Sequence, residues 1–134
     1  MTWQPELEEL DRRKAMAYEM GGPERIADQR RRGKLTVRER IDGLVDPCSF
    51  EERGVLAGSA SYDEAGQLVE FRSRRNVFGL AKMGGRDVVI SADDYTARPA
   101  SGGAGVSTSG GRGGGARTQG PDAMALNFKV PLVR

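Results

Sequence analysis

The chain has 134 residues, 37% of them hydrophobic, and only four Phe, three Tyr and one Trp to anchor a core, which bounds it to one domain of marginal independent stability. Its net charge is +2, and the positive excess sits entirely in residues 97–134, with five basic and one acidic side chain, too little to argue for a nucleic-acid binder by electrostatics. There is no histidine, which excludes Ser–His–Asp and Cys–His nucleophilic schemes and removes the commonest zinc ligand; no metal site is expected.

The opening Met1-Thr2-Trp3-Gln4-Pro5-Glu6 lacks the basic start and apolar stretch of a signal peptide. No apolar run approaches the roughly 18 residues of a membrane span. The single cysteine, Cys48, cannot close an internal disulfide, so a reducing, cytoplasmic setting is expected. Residues 4–20 read as a helix, with Pro5 and acidic Glu6, Glu8 and Glu9 suited to the positive end of its dipole. Gly21-Gly22-Pro23 stops it, and a second helix follows from Glu24 to Arg32, ended by Gly33. This second helix has little beyond Ile26 and Ala27 to bury and should lie on a surface.

Thr36-Val37-Arg38-Glu39 is a capping box, with the threonine as cap and Glu39 reaching back to it. Val37, Ile41, Leu44 and Val45 then follow at helical spacing, so one apolar face needs a cover, and Asp46-Pro47 closes the helix. From residue 54 the period shortens. Val55-Leu56, Val69 with Phe71, Asn76–Met83 and Arg86–Ala92 read as strands, and Gly84-Gly85 as a two-residue hairpin turn. Val88-Val89-Ile90 is apolar on both faces, as for a strand covered on each side.

Nine of the 19 glycines fall between Ser101 and Gly120, a stretch expected to be loop or disorder. A short helix over Asp122–Phe128 and an apolar end, Val130 to Val133, complete the chain, which is expected to break off where a buried strand begins. The expected organisation is therefore a helical segment over 1–45, a small mixed sheet over 46–96, a glycine-rich tract over 97–121 and a truncated helix-strand unit over 122–134.

Three stretches carry a family resemblance. Met20-Gly21-Gly22-Pro23-Glu24-Arg25-Ile26 leads into Arg32-Gly33-Lys34-Leu35-Thr36-Val37-Arg38-Glu39-Arg40-Ile41 and on through Leu44-Val45-Asp46-Pro47-Cys48-Ser49-Phe50-Glu51-Glu52. Gly84-Gly85-Arg86-Asp87-Val88-Val89-Ile90 is followed by Asp93-Asp94-Tyr95-Thr96, and Ala125-Leu126-Asn127-Phe128-Lys129 runs into Val130-Pro131-Leu132-Val133. Read together, they resemble the N-terminal part of biotin-dependent acyl-CoA carboxyltransferase β-type subunits, the family of acetyl-, propionyl- and methylcrotonyl-CoA carboxylases and related decarboxylases. The resemblance implies an α/β, partial crotonase-like fold of ββα units stacked into a spiral. It implies transfer of a carboxyl group from carboxybiotin to a short acyl-CoA, with the thioester enolate held by backbone N–H pairs. Those acyl-side donors follow the strand that begins at Val130 and the biotin-side donors lie in a second domain, so this chain alone should be inactive.

The same resemblance implies acyl-CoA as substrate and biotin on a separate carrier domain. The implied partners are the remainder of the carboxyltransferase or a homologous subunit, a biotin carboxylase or carrier subunit, and further copies in a homo-oligomer; no membrane and no nucleic acid are expected. A non-catalytic subunit that docks on a full-length carboxyltransferase is the alternative. The sequence departs from the family after Thr96. There the family has Val-x-Gly-Gly-Ser and an amphipathic helix, whereas this chain has Ala97-Arg98-Pro99-Ala100-Ser101-Gly102-Gly103 and a tract without helical period, which reads as a shifted frame or as an insertion.

Lys34, Arg38 and Arg40 are the candidates for the phosphates of coenzyme A, against a reading as a solvated or intersubunit helix face. Gly102 and Gly103 are candidates for the acyl-CoA loop, against simple disorder. Arg72, Arg74 and Arg75 form a second basic cluster with the same two readings, and Asp93-Asp94 is either a carboxylate pair for acid–base work or a turn cap and a salt-bridge partner. Cys48 is expected as a small buried turn residue. Gly110 to Arg117 holds only two arginines and no aromatic, short of what an RNA-binding arginine–glycine segment needs.

Overall fold

The computed structural model describes residues 2–97 and 120–134. Its first helix, α1, spans Gln4–Tyr18, with Pro5 in the first turn and Glu6 near the positive end of the dipole. Ala17 is its one buried residue, because the helix lies across the surface. α2 (Pro23–Arg31) buries nothing, as its composition requires. α3 (Val37–Leu44) has the capping box in full: Thr36 Oγ1 accepts from Glu39 N–H at 3.3 Å, and Thr36 N–H donates to Glu39 Oε2 at 2.8 Å. A Thr cap of this kind stabilises a helix by about 1 kcal/mol.

Four strands form the main sheet in the order β1-β4-β5-β6: β1 (Glu51–Arg53), β4 (Asn76–Met83), β5 (Arg86–Asp93) and β6 (Leu132–Val133). β4 and β5 are an antiparallel hairpin in register from Asn76↔Asp93 to Met83↔Arg86. Gly84 and Gly85 both take positive φ, 57° and 76°, the conformation of the primed turn that matches strand twist. β6 pairs parallel with β5, Val89 opposite Leu132, and is reached through α4 (Pro121–Phe128), so β4, β5 and α4 make one ββα unit. β2 (Gly58–Tyr62) and β3 (Leu68–Ser73) form a separate two-stranded antiparallel ribbon packed against α1.

The core lies between α3 and one face of the sheet. Val37 and Ile41 meet Val77, Ala81, Val88 and Ile90, with Met20, Val45 and Phe50 around them. The apolar face of α3 thus finds its cover inside the chain, except at Leu44, which stays 45% exposed. Val89 points to the opposite face and is fully buried, and α4 packs against the same strand, so the central strand is covered on both sides as its sequence predicts. At Gly79 a Cβ would stand 2.1 Å from the Glu51 carbonyl oxygen, so only glycine lets β1 approach β4.

Some expectations need correction. Val55-Leu56 is a turn, with Gly54 at φ 72° and Ala57 N–H donating to Gly54 O at 2.8 Å; the strands lie on either side, in the charged Glu51–Arg53 and the small-residue Gly58–Tyr62. α1 ends at Tyr18, before Met20 turns left-handed at φ 53°. Cys48 is exposed and left-handed, at φ 58°, because it sits at the outer bend after Pro47. The glycine-rich tract falls outside the described residues from 98 to 119.

Candidate functional site

α3 and the two ends of the β4–β5 hairpin position most of the polar side chains. At the turn end, Asp46, just beyond α3, receives Gly84 N–H on Oδ1 at 2.8 Å and Gly85 N–H on Oδ2 at 2.7 Å. Those two donated hydrogen bonds hold its carboxyl below the usual carboxylate range. Its own N–H donates to Lys82 O at 2.7 Å, and Ser49 Oγ accepts from Lys82 N–H at 3.1 Å. Sequence reasoning read Asp46 only as the end of a helix; its spacing from Gly84-Gly85 gives no local signal of the contact.

At the open end of the hairpin the adjacent aspartates part company. Asp94 is buried and caps the turn, accepting Thr96 N–H at 2.8 Å and Thr96 Oγ1–H at 2.6 Å on the same oxygen, while Asp93 accepts from Asn76 Nδ2 at 3.0 Å. They do not form a shared acid–base pair: the turn-cap reading holds for Asp94, and among the described residues Asp93 takes an amide rather than a salt-bridge partner. Thr96 also accepts Gly21 N–H on Oγ1 and an Arg25 guanidinium N–H on its carbonyl oxygen, both at 3.0 Å. A Cβ at Gly21 would lie 1.9 Å from that carbonyl, so the Gly21-Gly22 bend is what lets the first helices dock on the sheet.

The three cationic candidates on and before α3 have different surroundings. Lys34 is exposed in the turn after α2. Arg38 turns inward: Nη1 donates to Glu52 Oε2 at 2.8 Å, Nη2 to Glu52 Oε1 at 3.2 Å, and the guanidinium lies 4.2 Å from the centre of the Tyr18 ring. The pair is 23% and 12% exposed, and Arg38 Nε is buried with no partner among the described residues. Arg40 is exposed, donates to Asp93 O at 2.6 Å, and lies 5.5 Å from the Tyr95 ring centre. The three share no partner, so they form no single cluster. Gly102 and Gly103 lie outside the described residues. In the second basic cluster Arg72 pairs with Glu70 at 2.7 Å, which raises its pKa further, whereas Arg74 and Arg75 are exposed.

A cleft of about 370 Å³ opens between the end of α1 and β3, lined by Met16, Met20, Val69 and Phe71 with Glu70 and Arg72 on its rim. The volume is that of a small-ligand site. The Glu70 and Arg72 side chains pair with each other at 2.7 Å. No group of three or more His, Cys, Asp or Glu among the described residues could hold a metal ion, and no described helix is long and apolar enough to cross a membrane.

A family model described as "Carboxyl transferase domain" matches residues 28–110. The propionyl-CoA carboxylase beta chain of Cereibacter sphaeroides is 38% identical over 90 residues, 67% of this chain and 18% of that protein. The mitochondrial beta chain of Mus musculus is 36% identical, over 66% of this chain and 17% of its own length. The chain thus spans under a fifth of these relatives. Among solved structures, transcarboxylase 12S with methylmalonyl-coenzyme A and methylmalonic acid bound, described as a hexamer assembly, aligns with TM-score 0.58 and 28% identity, over 72% of this chain and 19% of that one. A single-chain, multi-domain long-chain acyl-CoA carboxylase aligns with TM-score 0.62 and 29% identity, over 95% of this chain and 13% of that one.

Proposed function

The chain belongs to the carboxyl transferase domain family, and we propose that it forms the N-terminal, acyl-CoA-side part of a carboxyltransferase that moves a carboxyl group from carboxybiotin to a short acyl-CoA. In this reading the 134 residues carry no transfer activity by themselves and act once the remainder of the carboxyltransferase, or a homologous subunit, completes the fold. The observation that carries the proposal is the open, apolar edge at α4 and β6. Among the described residues β6, two residues long, pairs only with β5 and sits at the rim of the sheet, while Leu126 and Phe128 on α4 are 77% and 58% exposed. Apolar side chains next to an open strand edge suit burial against further sheet and helix.

The chemistry assigned to this part is positional. The β4–β5 hairpin, fixed at one end by Asp46 and at the other by Asp94 and Thr96, would set the frame against which the acyl-CoA thioester lies. In this reading Lys34 and Arg40, both exposed, meet coenzyme A phosphates, while Arg38 holds α3 to β1 through Glu52. Gly102 and Gly103 remain proposed for the acyl-CoA loop. Biotin, on its carrier, would bring the activated carboxyl group, and no described residue is assigned to it.

Docking is tested by co-purification with a propionyl-CoA carboxylase beta chain lacking its own matching first segment. The complex should form at physiological salt and be lost when Leu126→Asp and Phe128→Asp are combined, with the melting temperature of the free chain unchanged. Equal recovery of the double variant would show that this edge is not the docking surface.

A further inference from the structure

We infer that the thioether of Met20 is a peroxide-modifiable site, whose oxidation to the sulfoxide loosens the seat of the first two helices on the sheet. Met20 follows α1 at φ 53°, a left-handed turn that glycine usually fills. Its side chain is half-buried and packs against the core formed by Val37, Ile41, Val77, Ala81, Val88 and Ile90. The same residue lines the cleft of about 370 Å³ beside β3, together with Met16 and Phe71. Met83 is also packed on that core, but among the described residues only Met16 and Met20 bring a methionine to this cleft.

A water molecule occupies about 30 Å³ in the liquid, so the cleft admits an oxidant as small as hydrogen peroxide. A sulfur lone pair attacks one peroxide oxygen and the O–O bond breaks. Sulfur is oxidised by two electrons, the peroxide is reduced to water, and no C–S bond changes. The product is a polar, chiral sulfoxide in place of an apolar chain. At Met16 the new oxygen falls in the open cleft. At Met20 it falls against the core, where an unpaired polar group is costly. The next residue carries the effect onward. Gly21 N–H donates to Thr96 Oγ1 at 3.0 Å, and a Cβ at Gly21 would lie 1.9 Å from the Thr96 carbonyl oxygen, so the bend sits directly on the end of β5. A Met20 side chain pushed off the core lifts that bend. The site needs neither acyl-CoA nor a docked subunit, so it can fail without the proposed function failing.

The test is hydrogen peroxide treatment of the 134-residue chain carrying Cys48→Ser, which removes the exposed thiol as a competing nucleophile. Treatment runs to full conversion of Met16, followed by peptide mass mapping, melting and hydrogen exchange. Sulfoxide is expected at both Met16 and Met20, with the melting midpoint lower by about 4 °C or more and Gly21 N–H exchange about tenfold faster. The two stereospecific methionine sulfoxide reductases together should restore both values. Met16→Leu should leave the loss intact, and Met20→Leu should abolish it. If Met20→Leu folds poorly, mapping and Gly21 exchange on the chain that keeps Met20 still decide. Three results would overturn the proposal: Met20 left unmodified once Met16 is converted, a Met20 sulfoxide with midpoint and Gly21 exchange unchanged, or a loss that persists in folded Met20→Leu.

Discussion

Asp46 Oδ2 accepts the backbone N–H of Gly85 at 2.7 Å, across a gap of 39 residues in sequence. With the matching bond from Gly84 to Oδ1, one carboxylate holds both corners of the β4–β5 turn and ties it to the end of α3. The contact works only if the carboxyl is ionised, because each oxygen must accept. Asp46→Asn would turn an N–H₂ donor toward a backbone donor, leaving one N–H opposed rather than paired.

The expected result for Asp46→Asn is a lower denaturation midpoint and a flatter acid profile. The folded-state pKa of Asp46 is depressed, so its contribution is fully present above the unfolded carboxylate pKa and is lost as pH falls through the folded value. The unchanged chain should therefore lose stability as pH drops below about 4, and the variant should lose less over the same window. Urea melts at a series of pH values would measure this, and parallel curves for the two proteins would remove Asp46 as the acid-sensitive latch.

Ile41 and Leu44 belong to one predicted apolar face, but the structure separates them: Ile41 is 2% exposed and Leu44 45%. Ile41→Ala should cost about 2–5 kcal/mol, the range for a large-to-small core change. Leu44→Ala should stay within about 0.5 kcal/mol, as for ordinary surface changes. Chemical denaturation decides, and equal costs would mean that the α3 face packs differently.

Arg38→Ala leaves Glu52 paired with nothing in a site where it is only 12% exposed, and removes the guanidinium from the Tyr18 ring. The pair lies between the surface and buried regimes, so a loss of roughly 1–3 kcal/mol is expected. Lys34→Ala should change stability little and instead weaken coenzyme A binding in the completed assembly. Denaturation and coenzyme A titration of both variants test this; a stable Arg38→Ala with weakened binding would move the ligand role to Arg38.

The helices were legible because their signals are local. The Thr36–Glu39 box and the Val37/Ile41 spacing mark α3 within one turn, and Gly84-Gly85 marks the hairpin within two residues. β1 was not legible, since Glu51-Glu52-Arg53 has no strand pattern; it pairs only because Gly79 admits its backbone and Arg38 neutralises Glu52. Val55-Leu56 misled for the converse reason, apolar residues carried by a glycine turn. The polar site was legible only as residue types. That Arg38 faces Glu52 and Arg40 faces Asp93 depends on which side of α3 meets β1 and which meets the end of β5, a tertiary fact with no sequence period.

The most direct measurement is carboxyl transfer by reconstitution. A propionyl-CoA carboxylase beta chain with its matching first segment removed is assayed alone, with this chain, and against this chain by itself, using carboxybiotin and propionyl-CoA. The account predicts no transfer above background from either polypeptide alone and measurable transfer from the two together, because this chain supplies the frame and the truncated beta chain the oxyanion donors. Loss of even one such donor typically costs about 100- to 1000-fold, so the single-component controls should be clean. Transfer by the 134-residue chain alone, or a stable complex of the two polypeptides that transfers nothing, would contradict it.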